Sequence, residues 1–393
     1  MGDTMENYKR HLSVYLDNAA TSFPKPQGVI DSVCECIEDY GGNAGRSSHF
    51  LAIRAAEKIY ETREIISSLF NCETDRVIFT LNTTYALNMA IKGVMRGGGH
   101  VLISDMEHNS VLRPVEKLKK EGLISYDIFK SYDLQRQLSP NEIVGNILKL
   151  IRPDTKMLIC LHASNLCPHT LPVAEIGKLC HKKGIVFVVD AAQSAGHIPI
   201  DVKQDNIDIL CFPAHKGLYG PQGCGVMALG DGVDPDTLIE GGNGISSLEL
   251  SMGDQPPERY EAGTLCTPAI AGLCAGACFV KELGIENIFR HESRLHARAA
   301  SNLKSIRGIT LYGCRGHGGP LLFNIDGMRS DRVGEMLSDM GFCLRSGYHC
   351  SALGHRALMT PDGGGVRMSA GIFNTDREID LFCQTVEKIS RTR

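Results

Sequence analysis

The sequence lacks closely paired cysteines of the kind that hold a metal or build a disulfide framework. It contains 15 cysteines, an odd number, scattered from Cys34 to Cys383, and no two of them form a CxxC arrangement. Neither a small secreted scaffold nor a zinc ribbon is therefore predicted. The same pattern favours a reducing compartment, and we expect the protein in the cytoplasm.

Long apolar segments and an excess of charge are missing as well. The start, MGDTMENYKRHLS, includes no apolar signal segment, and the longest weakly polar run, residues 266–280, is too short to cross a bilayer. The 41 Lys and Arg nearly balance the 45 Asp and Glu, for a net charge of −4. Because this balance creates no field that attracts nucleic acid or anionic lipid, we expect neither partner, and a small-molecule substrate fits better.

Apolar residues are plentiful by contrast, at 43% of a chain that is long enough for two compact domains. Between residues 75 and 230, short apolar runs alternate with segments of helical period. The runs are VIFT at 77, HVLISD at 100, KMLICLH at 156, IVFVVD at 185, DILCF at 208 and GVMAL at 225. This alternation predicts a buried, largely parallel sheet covered by helices.

Three segments of this part are predicted to be helices. Residues 109–121 and 172–183 have apolar residues three to four positions apart and suit covering helices. Residues 48–70 form a long amphipathic stretch that is expected to pack on the sheet. Its apolar positions at helical spacing are Ile53, Ala56, Ile59 and Tyr60.

The pattern changes after about residue 265, where a helix rich in small residues is followed by a long helix near residues 285–306. Two further strands are predicted, LLFNI at 321 and VRMSA at 366. Thr375 and Glu378 have the spacing of a capping box and predict a final helix. This part resembles a second, smaller domain.

Two charged side chains follow neighbouring apolar runs. Asp190 ends IVFVVD, and Lys216 follows DILCF in the turn PAHKGLYGPQGCG. Open α/β sheets bind ligands at the carboxyl ends of their strands, so both side chains are expected at one edge. Alone, the aspartate would more often cap a helix and the lysine would be solvated. Together, an amine nucleophile and a carboxylate for a pyridinium nitrogen predict a pyridoxal phosphate site.

The phosphate of this cofactor needs hydrogen-bond donors at the same edge. Asn82, Thr83 and Thr84 lie between VIFT and the helix after it, where hydroxyls and helix-start amides can bind an anion. Simple N-capping is the alternative. His108 follows HVLISD, and its imidazole can stack on a cofactor ring or move protons, although a lone histidine is more often structural.

Ten short motifs occur in order along nearly the whole chain. They are YLDNAATSFPKP at 15, GGNAGRSSH at 41, NTTYALN at 82, MEHNS at 106, SN at 164, VVDAAQSAGH at 188, HKGLYGPQGCG at 215, YEAGT at 260, RSGYHCSALGH at 345 and GVRMSAGIFNT at 365. In order and spacing they resemble the class V aminotransferase group of pyridoxal phosphate enzymes, most closely its cysteine desulfurase and selenocysteine lyase branch.

The resemblance implies the type I fold of pyridoxal-phosphate-dependent transferases, an α/β fold with a largely parallel central sheet and a smaller C-terminal α+β domain. Residues 18–270 are expected to form the large cofactor-binding domain. Residues 1–17 and 271–393 are expected to form the small domain, which carries a catalytic cysteine.

The resemblance also implies roles around the cofactor ring. Lys216 would bind the cofactor covalently, Asp190 would pair with the pyridine nitrogen, and Gln193 would reach the ring hydroxyl. Asn165 would lie beside the same hydroxyl. His108 would lie against the ring and take part in catalysis.

At the phosphate, Thr83, Thr84 and His215 would bind from the same chain. Thr264 would reach the phosphate from a second subunit, which implies a homodimer with shared active sites.

The implied substrate residues are Ala20, Asn43, His49, Arg345 and Arg367, among which Arg367 would bind the substrate carboxylate in a bidentate manner.

Cys350 would attack the sulfur of L-cysteine and carry it as a persulfide, while L-alanine leaves. With fourteen other cysteines present, an inert thiol is the alternative. However, Cys350 lies in a polar, glycine-bearing segment beside Arg345 and His349, neighbours that favour the thiolate. A sulfur-acceptor protein is a possible further partner.

Three residues depart from the family pattern. Pro213 stands where a phosphate-binding Ser or Thr is common, Pro168 replaces a usual glycine, and Tyr348 replaces a common histidine. We expect looser cofactor binding from the first, and an altered substrate preference or sulfur transfer from Tyr348. Residues 351–365, which include GHRALMTPDGGG, are expected to form a mobile loop over the pocket.

Other functions remain open at this stage. Within the family, a selenocysteine lyase and a cysteine or cystine C–S lyase that releases pyruvate are alternatives. A non-catalytic scaffold is disfavoured by Lys216 and Asp190. A nicotinamide-binding fold is also disfavoured, because the glycines of GCGVMA at 223 precede a strand. We expect no metal site, since the histidines of HESRLH at 291 lie five positions apart and diverge on a helix.

Overall fold

The computed structural model describes residues 13–45, 48–244, 248–313, 316 and 318–392. Its strands are β1 (Val14–Tyr15), β2 (Val77–Thr80), β3 (Gly99–Ser104), β4 (Ile124–Phe129), β5 (Thr155–Leu161), β6 (Val186–Asp190), β7 (Ile209–Pro213), β8 (Gly225–Leu229), β9 (Ile309–Tyr312), β10 (Leu321–Ile325), β11 (Phe342–Cys343), β12 (Arg345–Gly347) and β13 (Gly365–Met368).

Eleven α-helices are formed by the described residues. They are α1 (Gln27–Asp39), α2 (Phe50–Phe70), α3 (Thr83–Val94), α4 (Asn109–Lys120), α5 (Pro140–Leu148), α6 (Val173–Lys183), α7 (Thr267–Leu283), α8 (Ile285–Lys304), α9 (Ser330–Asp339), α10 (Ala352–Ala357) and α11 (Asp376–Ser390). Up to β8, helices and strands largely alternate, as the sequence predicts.

The central sheet has seven strands in the order β2-β8-β7-β6-β5-β3-β4. Strands β4, β3, β5, β6 and β7 are parallel to one another, and β8 is antiparallel to both of its neighbours. All six predicted strands are present. The parallel strands end at one edge of the sheet, so the loops that follow them lie together there.

Helices cover both faces of this sheet. Because β6 and β7 have helices above and below, their side chains are buried on both faces, which explains their nearly continuous apolar runs. Strand β4 was not predicted. It lies at the edge of the sheet and pairs with β3 alone, so its sequence ISYDIF mixes exposed polar residues with apolar ones.

The C-terminal part contains a four-stranded antiparallel sheet in the order β12-β13-β10-β9. Helices α8, α9 and α11 enclose a separate apolar core with it. Strand β1 pairs with β11, which attaches residues 14–15 to this part of the fold. The capping box at Thr375 and Glu378 begins α11, as predicted.

The buried face of α2 differs from the predicted one. Ile59 is buried, but Ile53, Ala56 and Tyr60 are exposed. The helix instead packs through small residues such as Ala52 and Ala55 against α7. Small side chains let two helices approach closely, while Ile59, Ile66 and Phe70 are the large apolar residues of α2 that are buried.

The predicted loop at residues 351–365 is partly wrong, because its first half forms α10. The three glycines that follow are held by neighbours. Gly363 N–H donates to Tyr348 Oη over 2.9 Å, and the Gly364 carbonyl accepts from Asn324 Nδ2 over 2.8 Å. Tyr348, which departs from the family pattern, therefore fastens this segment.

Helices α7 and α8 meet at a sharp bend. Within the described residues, no single helix has the length and apolar character needed to span a membrane; α7 and α8 meet that test only when joined, and they are bent by 80°. The predicted domain boundary at residues 270/271 falls inside α7, which packs on α1 and α2. We propose that the small domain resumes at α8 instead.

Candidate active site

A pocket lies where the strands of the central sheet end. Eight of the nine predicted cofactor residues line it, and they come from the loops after five strands. They are Thr83, Thr84, His108, Asn165, Asp190, Gln193, His215 and Lys216. The sheet topology thus brings together side chains that are up to 133 positions apart in the sequence.

Lys216 lies in the turn that joins β7 to the antiparallel β8. The turn passes close to the loop after β6: a Cβ at Gly217 would lie 2.1 Å from His197 Cδ2, so a side chain there cannot be accommodated. Burial lowers the pKa of Lys216 to about 8, and the charges of Arg367 and Arg345 act in the same direction. Near neutral pH a sizeable fraction of this amine is unprotonated and nucleophilic.

Asp190 ends β6 and is 4% exposed. Burial raises its pKa, although the amide of Ala192, which donates to Oδ1 over 2.9 Å, and the charge of Lys216 oppose that shift. A carboxylate in such a place is stabilised when a cation faces it. The arrangement suits a ligand that presents a protonated ring nitrogen.

His108 begins α4, and its Nδ1 accepts a hydrogen bond from Ser110 N over 3.1 Å. Ser110 Oγ lies 2.9 Å from the same Nδ1 and 2.7 Å from Thr84 Oγ1, which links the loops after β2 and β3. Burial, followed by the charge of Lys216, lowers the pKa of His108 to about 4. The imidazole is therefore neutral at neutral pH, which suits contact with an aromatic ring.

One end of the pocket is built to bind an anion. Helix α3 begins there, capped by Asn82 Oδ1, which accepts from Tyr85 N over 3.0 Å. A Cβ at Gly225 in β8 would lie 2.6 Å from the Asn82 carbonyl carbon, so glycine is needed for this close approach. A helix N-terminus supplies free amides and a favourable dipole for negative charge.

Asn165 connects three parts of the site. Its Nδ2 donates to the His349 carbonyl over 2.8 Å, and its own carbonyl accepts from Arg367 Nη1 over 3.1 Å. Gln193 donates through Nε2 to the Ala19 carbonyl over 2.9 Å. Both amides are thus fixed before any ligand binds.

The two predicted substrate arginines face each other across the ladder of β12 and β13. Arg367 is 1% exposed, and its Nη2 donates to Asp17 Oδ1 over 2.7 Å. Its Nε has no hydrogen-bond partner among the described residues. Arg367 is therefore held in place with unused hydrogen-bonding capacity, as a carboxylate-binding residue requires.

Cys350 lies just beyond β12 and is exposed. Arg345 Nη2 donates to its Sγ over 3.5 Å, so the thiol lies against a guanidinium group. Its carbonyl accepts from Asn109 N over 2.8 Å, one residue after His108. The cysteine segment is thus bonded directly to the loop that carries a pocket histidine.

Seven predicted residues are not among those that line the Lys216 pocket: Arg345, Cys350 and Arg367, described above, and Ala20, Asn43, His49 and Thr264. Ala20 lies in the turn after β1, and His49 caps α2. Asn43 Nδ2 donates to Thr264 Oγ1 over 3.3 Å, and Asn43 lines a different surface cavity. Within one chain, therefore, Asn43 and Thr264 lie together but apart from the pocket.

Sequence reasoning missed three side chains that shape the site. Ser110 and Asp17 form the bonds described above. Glu107 is fully buried beside Asp190, accepts from Leu161 N over 2.9 Å, and has its pKa raised to about 8 by burial. Its position directly after a buried strand, in the motif that supplied His108, was the available signal.

The residues of HESRLH that were considered for a metal site each contact a different part of the protein. Glu292 Oε2 lies 2.6 Å from His197 Nδ1, while His291 Nε2 and His296 Nδ1 lie near the Asn374 and Gly319 carbonyls. The three side chains of HESRLH therefore diverge. Within the described ranges, no group of three His, Cys, Asp or Glu is placed to hold a metal ion.

The sequence matches the family model described as "Aminotransferase class-V" over residues 14–382. The match spans nearly the whole chain. The protein belongs to the class-V aminotransferase family.

Relatives in this family share most of the chain. A probable cysteine desulfurase of Methanothermobacter thermautotrophicus is 34% identical over 388 residues, covering 96% of this chain and 94% of its own. A cysteine desulfurase of Escherichia coli O8 is 32% identical over 390 residues, covering 96% and 93%.

Solved structures of the family have the same fold. The apo structure of a cysteine desulfurase from Thermococcus onnurineus NA1 superposes with a TM-score of 0.86 at 29% identity, covering 97% of this chain and 95% of that one. An Escherichia coli cysteine desulfurase in an S-sulfonic acid form gives the same TM-score at 25% identity, with the same coverage. The predicted type I fold is confirmed.

Within this class-V aminotransferase pocket, three buried polar atoms have no hydrogen-bond partner among the described residues: Thr83 Oγ1, Asn165 Oδ1 and His215 Nδ1. Leaving such a group unpaired costs about 1–3 kcal/mol, so a polar ligand that pairs them is favoured. Together with the Lys216 amine, the Asp190 carboxylate and the start of α3, they fit a ligand with a carbonyl, a basic ring nitrogen and an anionic group.

Proposed function

We propose that the protein is a pyridoxal-phosphate-dependent cysteine desulfurase that converts L-cysteine to L-alanine and receives the sulfur on Cys350 as a persulfide. The observation that carries this proposal is the Cys350 thiol, exposed and bonded to Arg345, on a segment fastened to the loops of the Lys216 pocket. The names of the relatives support it.

Pyridoxal phosphate has each of the groups that the pocket suits. Lys216 would bind its aldehyde, Asp190 would face its ring nitrogen, and His108 would lie against its ring. Gln193 and Asn165 are placed for the ring hydroxyl. When bound, the cofactor supplies an electron sink that weakens the bonds at the substrate α-carbon.

The phosphate would be bound by Thr83, Thr84 and His215 at the start of α3. Burial lowers the pKa of His215 to about 4, so the neutral imidazole would bind by hydrogen bonding. Pro213, which lines the same pocket, has no hydroxyl to offer. The loss of one neutral hydrogen bond weakens binding by about 1 kcal/mol, which leaves the site functional.

Lys216 would also move protons. Burial lowers the pKa of its Nζ amine to about 8. A base performs best when its pKa lies near the working pH, because it can then both accept and return a proton. Lys216 would take the α-proton and later protonate the product.

Arg367 would bind the substrate carboxylate through its guanidinium, whose Nε is left unpaired by Asp17 and Asn165, with Arg345 adding positive charge nearby. This orients the substrate so that its thiol points toward Cys350. The Cys350 thiolate then bonds to the substrate sulfur as the carbon–sulfur bond breaks. The electron pair of that bond stays with the alanine carbon, which gains a proton, so one thiol and one C–S bond become a persulfide and a C–H bond.

A second copy of the chain would complete the site. Thr264, with Asn43 bonded to it, lies away from the pocket of its own chain and would reach the phosphate of the partner. Large apolar residues are exposed on α1 and α2, where a partner could cover them: Ile30, Ile37, Phe50, Ile53 and Tyr60. His49, at the start of α2, would approach the same shared region, and Ala20 would contact the substrate.

Sulfur would leave from Cys350 to an acceptor protein or thiol, because the residue is exposed. The cytoplasmic location is part of this proposal, since a persulfide and an odd set of cysteines suit a reducing compartment.

The test supplies L-cysteine, L-selenocysteine and L-cystine to the cofactor-loaded protein and measures alanine, pyruvate, sulfide and selenide. Cys350→Ala is compared with Cys343→Ala, an exposed cysteine seven positions away. We expect alanine and sulfide from cysteine, lost in Cys350→Ala and kept in Cys343→Ala. Selenide release that persists in Cys350→Ala would favour a selenocysteine lyase instead, and pyruvate would favour a C–S lyase.

A further inference from the structure

Cys350 stands at the tip of a tight turn whose backbone is unusual. His349 and Cys350 have φ angles of 51° and 55°, a left-handed conformation that residues with a side chain rarely adopt. Two such residues in succession persist only where their surroundings hold them. The contacts around the tip therefore determine where the thiol lies.

Two buried imidazoles support the tip from behind. The rings of His349 and His355 stack with an interplanar angle of 13°, and His349 Nδ1 lies 3.3 Å from His355 Nε2. His349 Nε2 lies 3.1 Å from the Arg345 carbonyl, and His355 Nδ1 lies 2.8 Å from Thr360 Oγ1. His355 comes from α10 and Thr360 follows that helix, so neither belongs to the cofactor pocket.

The hydrogen-bond directions in this chain are determined by its first acceptor. The Arg345 carbonyl can only accept, so His349 carries its proton on Nε2, and its Nδ1 must accept from His355 Nε2. His355 Nδ1 then accepts from the Thr360 hydroxyl. Burial lowers the pKa of His349 to about 3 and that of His355 to about 4, so both rings are neutral. Each of the three hydrogen bonds between Thr360, His355, His349 and the Arg345 carbonyl then contains one proton.

We propose that His355, oriented by Thr360, is a positioning residue for the Cys350 thiol and acts on it through His349. His355 and Thr360 fix the His349 ring against the Arg345 carbonyl. This contact holds Arg345, where the segment begins, close to Cys350 at its tip, so that Cys350 Sγ stays against the Arg345 guanidinium. This inference rests on the proposed function, because a fixed position of the Cys350 thiol matters only if that thiol takes part in the reaction.

Other bonds keep the tip folded when the histidine pair is changed. Asn165 Nδ2 donates to the His349 carbonyl, and Asn109 N donates to the Cys350 carbonyl. These bonds fix the main chain but leave the His349 ring free to turn. Variants of His355 are therefore expected to fold and to bind the cofactor.

The test compares four variants of the cofactor-loaded enzyme. His355→Leu removes the donor to His349, whereas His355→Gln keeps an amide N–H near the position of Nε2. Thr360→Val removes the hydroxyl that orients His355. Thr385→Val is the matched control, because its hydroxyl bonds to the Leu381 carbonyl within α11.

Two measurements are made on each reduced protein: the rate of Cys350 alkylation by iodoacetamide at pH 7, located by peptide mass spectrometry, and kcat and KM for L-cysteine. We expect His355→Leu to lower kcat by about tenfold or more, because a misplaced thiol reacts slowly with the bound substrate. The alkylation rate should fall by a similar factor, because Sγ loses the Arg345 guanidinium beside it. Thr360→Val should lower them less, and His355→Gln should restore most of the loss. KM and the visible absorbance of the cofactor should stay unchanged.

Equal alkylation rates in wild type and His355→Leu would overturn the inference, as would a fall in His355→Gln as large as that in His355→Leu. Failure of the proposed function looks different. In that case Cys350→Ala keeps full sulfide release, whatever the His355 variants do to alkylation.

Discussion

Side chains from neighbouring strands meet in the pocket, because the sheet topology fixes where the parallel strands end. Asp190 and Lys216 follow adjacent strands of a parallel array, and the structure brings them to one pocket. The pairing of Arg367 with Asp17 could not be read from the sequence, since 350 positions separate them and only the packing of β13 joins them. Thr264 does not line the pocket of its own chain, and its predicted role at the phosphate requires a second chain.

Lys216 gives a prediction at this scale. Its pKa is lowered to about 8, so the fraction of Lys216 that is neutral should rise steeply up to that pH and then level off. We expect the rate at which the cofactor-free protein binds pyridoxal phosphate to increase from pH 6.5 to about 8 and to change little above 9. Stopped-flow absorbance measures this. A rate that keeps rising to pH 10, as for N-acetyl-lysine amide, would contradict the lowered pKa.

Asp17 gives a second prediction. Its carboxylate orients Arg367 through a charge-assisted bond, and such bonds contribute about 1.5–3 kcal/mol. Asp17→Ala should therefore raise KM for L-cysteine by roughly 10-fold to 100-fold, with a smaller effect on kcat. Asp331→Ala is the control, because that carboxylate pairs with Arg329 at the surface. Steady-state kinetics that show equal KM values in both variants would argue against this role.

At the scale of elements, apolar periodicity predicted the buried strands well and the faces of helices less well. The six strands of continuous apolar character were found, whereas edge strand β4, with its mixed sequence, was missed. In α2, Ile53 and Tyr60 were expected inside but are exposed, and the helix packs on α7 through small residues such as Ala52 and Ala55. Periodicity shows that a helix has an apolar stripe, yet it does not show which partner covers that stripe.

The junction of β8 with the start of α3 gives a prediction for an element. A Cβ at Gly225 would lie within 2.7 Å of Asn82 main-chain atoms, so Gly225→Ala should displace the helix start that is proposed to bind phosphate. We expect weaker binding of pyridoxal phosphate, by about tenfold or more, measured by fluorescence titration. Gly145→Ala in α5, with open space around the new methyl group, is the control. It should bind normally and unfold at an equal or higher temperature.

At the scale of the whole molecule, the sequence predicted a large sheet and a smaller C-terminal domain, but not how they are joined. The pattern changes after about residue 265, but the boundary predicted at residues 270/271 falls within α7, a helix rich in small residues that packs on α1 and α2. Domain limits depend on which surfaces touch, which periodicity along one segment cannot show.

Buried histidines give a prediction for overall stability. Burial lowers the pKa of His162 and His169 to about 4 and that of His349 to about 3. The folded chain keeps them neutral, while the unfolded chain protonates them below about pH 6.5. Their contribution is therefore complete above pH 6.5 and lost as the pH falls toward 4, by about 1.4 kcal/mol per pH unit for each.

Denaturant unfolding of the cofactor-free protein between pH 7.5 and 5 measures this loss. His169→Gln should make the free energy of unfolding depend less steeply on pH, since one titrating group is removed. His181→Gln, at an exposed position, should leave the pH dependence as in wild type. An identical slope in His169→Gln and wild type would rule out the contribution of His169.

The buried pair of Arg63 and Glu261 has a consequence for assembly. Glu261 pairs with Arg63 Nη2 over 2.6 Å and accepts from Phe79 N over 2.7 Å. Edge strand β2 is therefore hydrogen-bonded to the segment that ends in Thr264. A loop pinned in this way would be preorganised for the proposed association of two copies, which would then cost little extra ordering. Dilution should then separate the two copies of the proposed dimer while the Glu261 segment stays ordered. Loss of the Arg63 side chain should weaken the dimer, so that the copies separate at a higher protein concentration than in wild type.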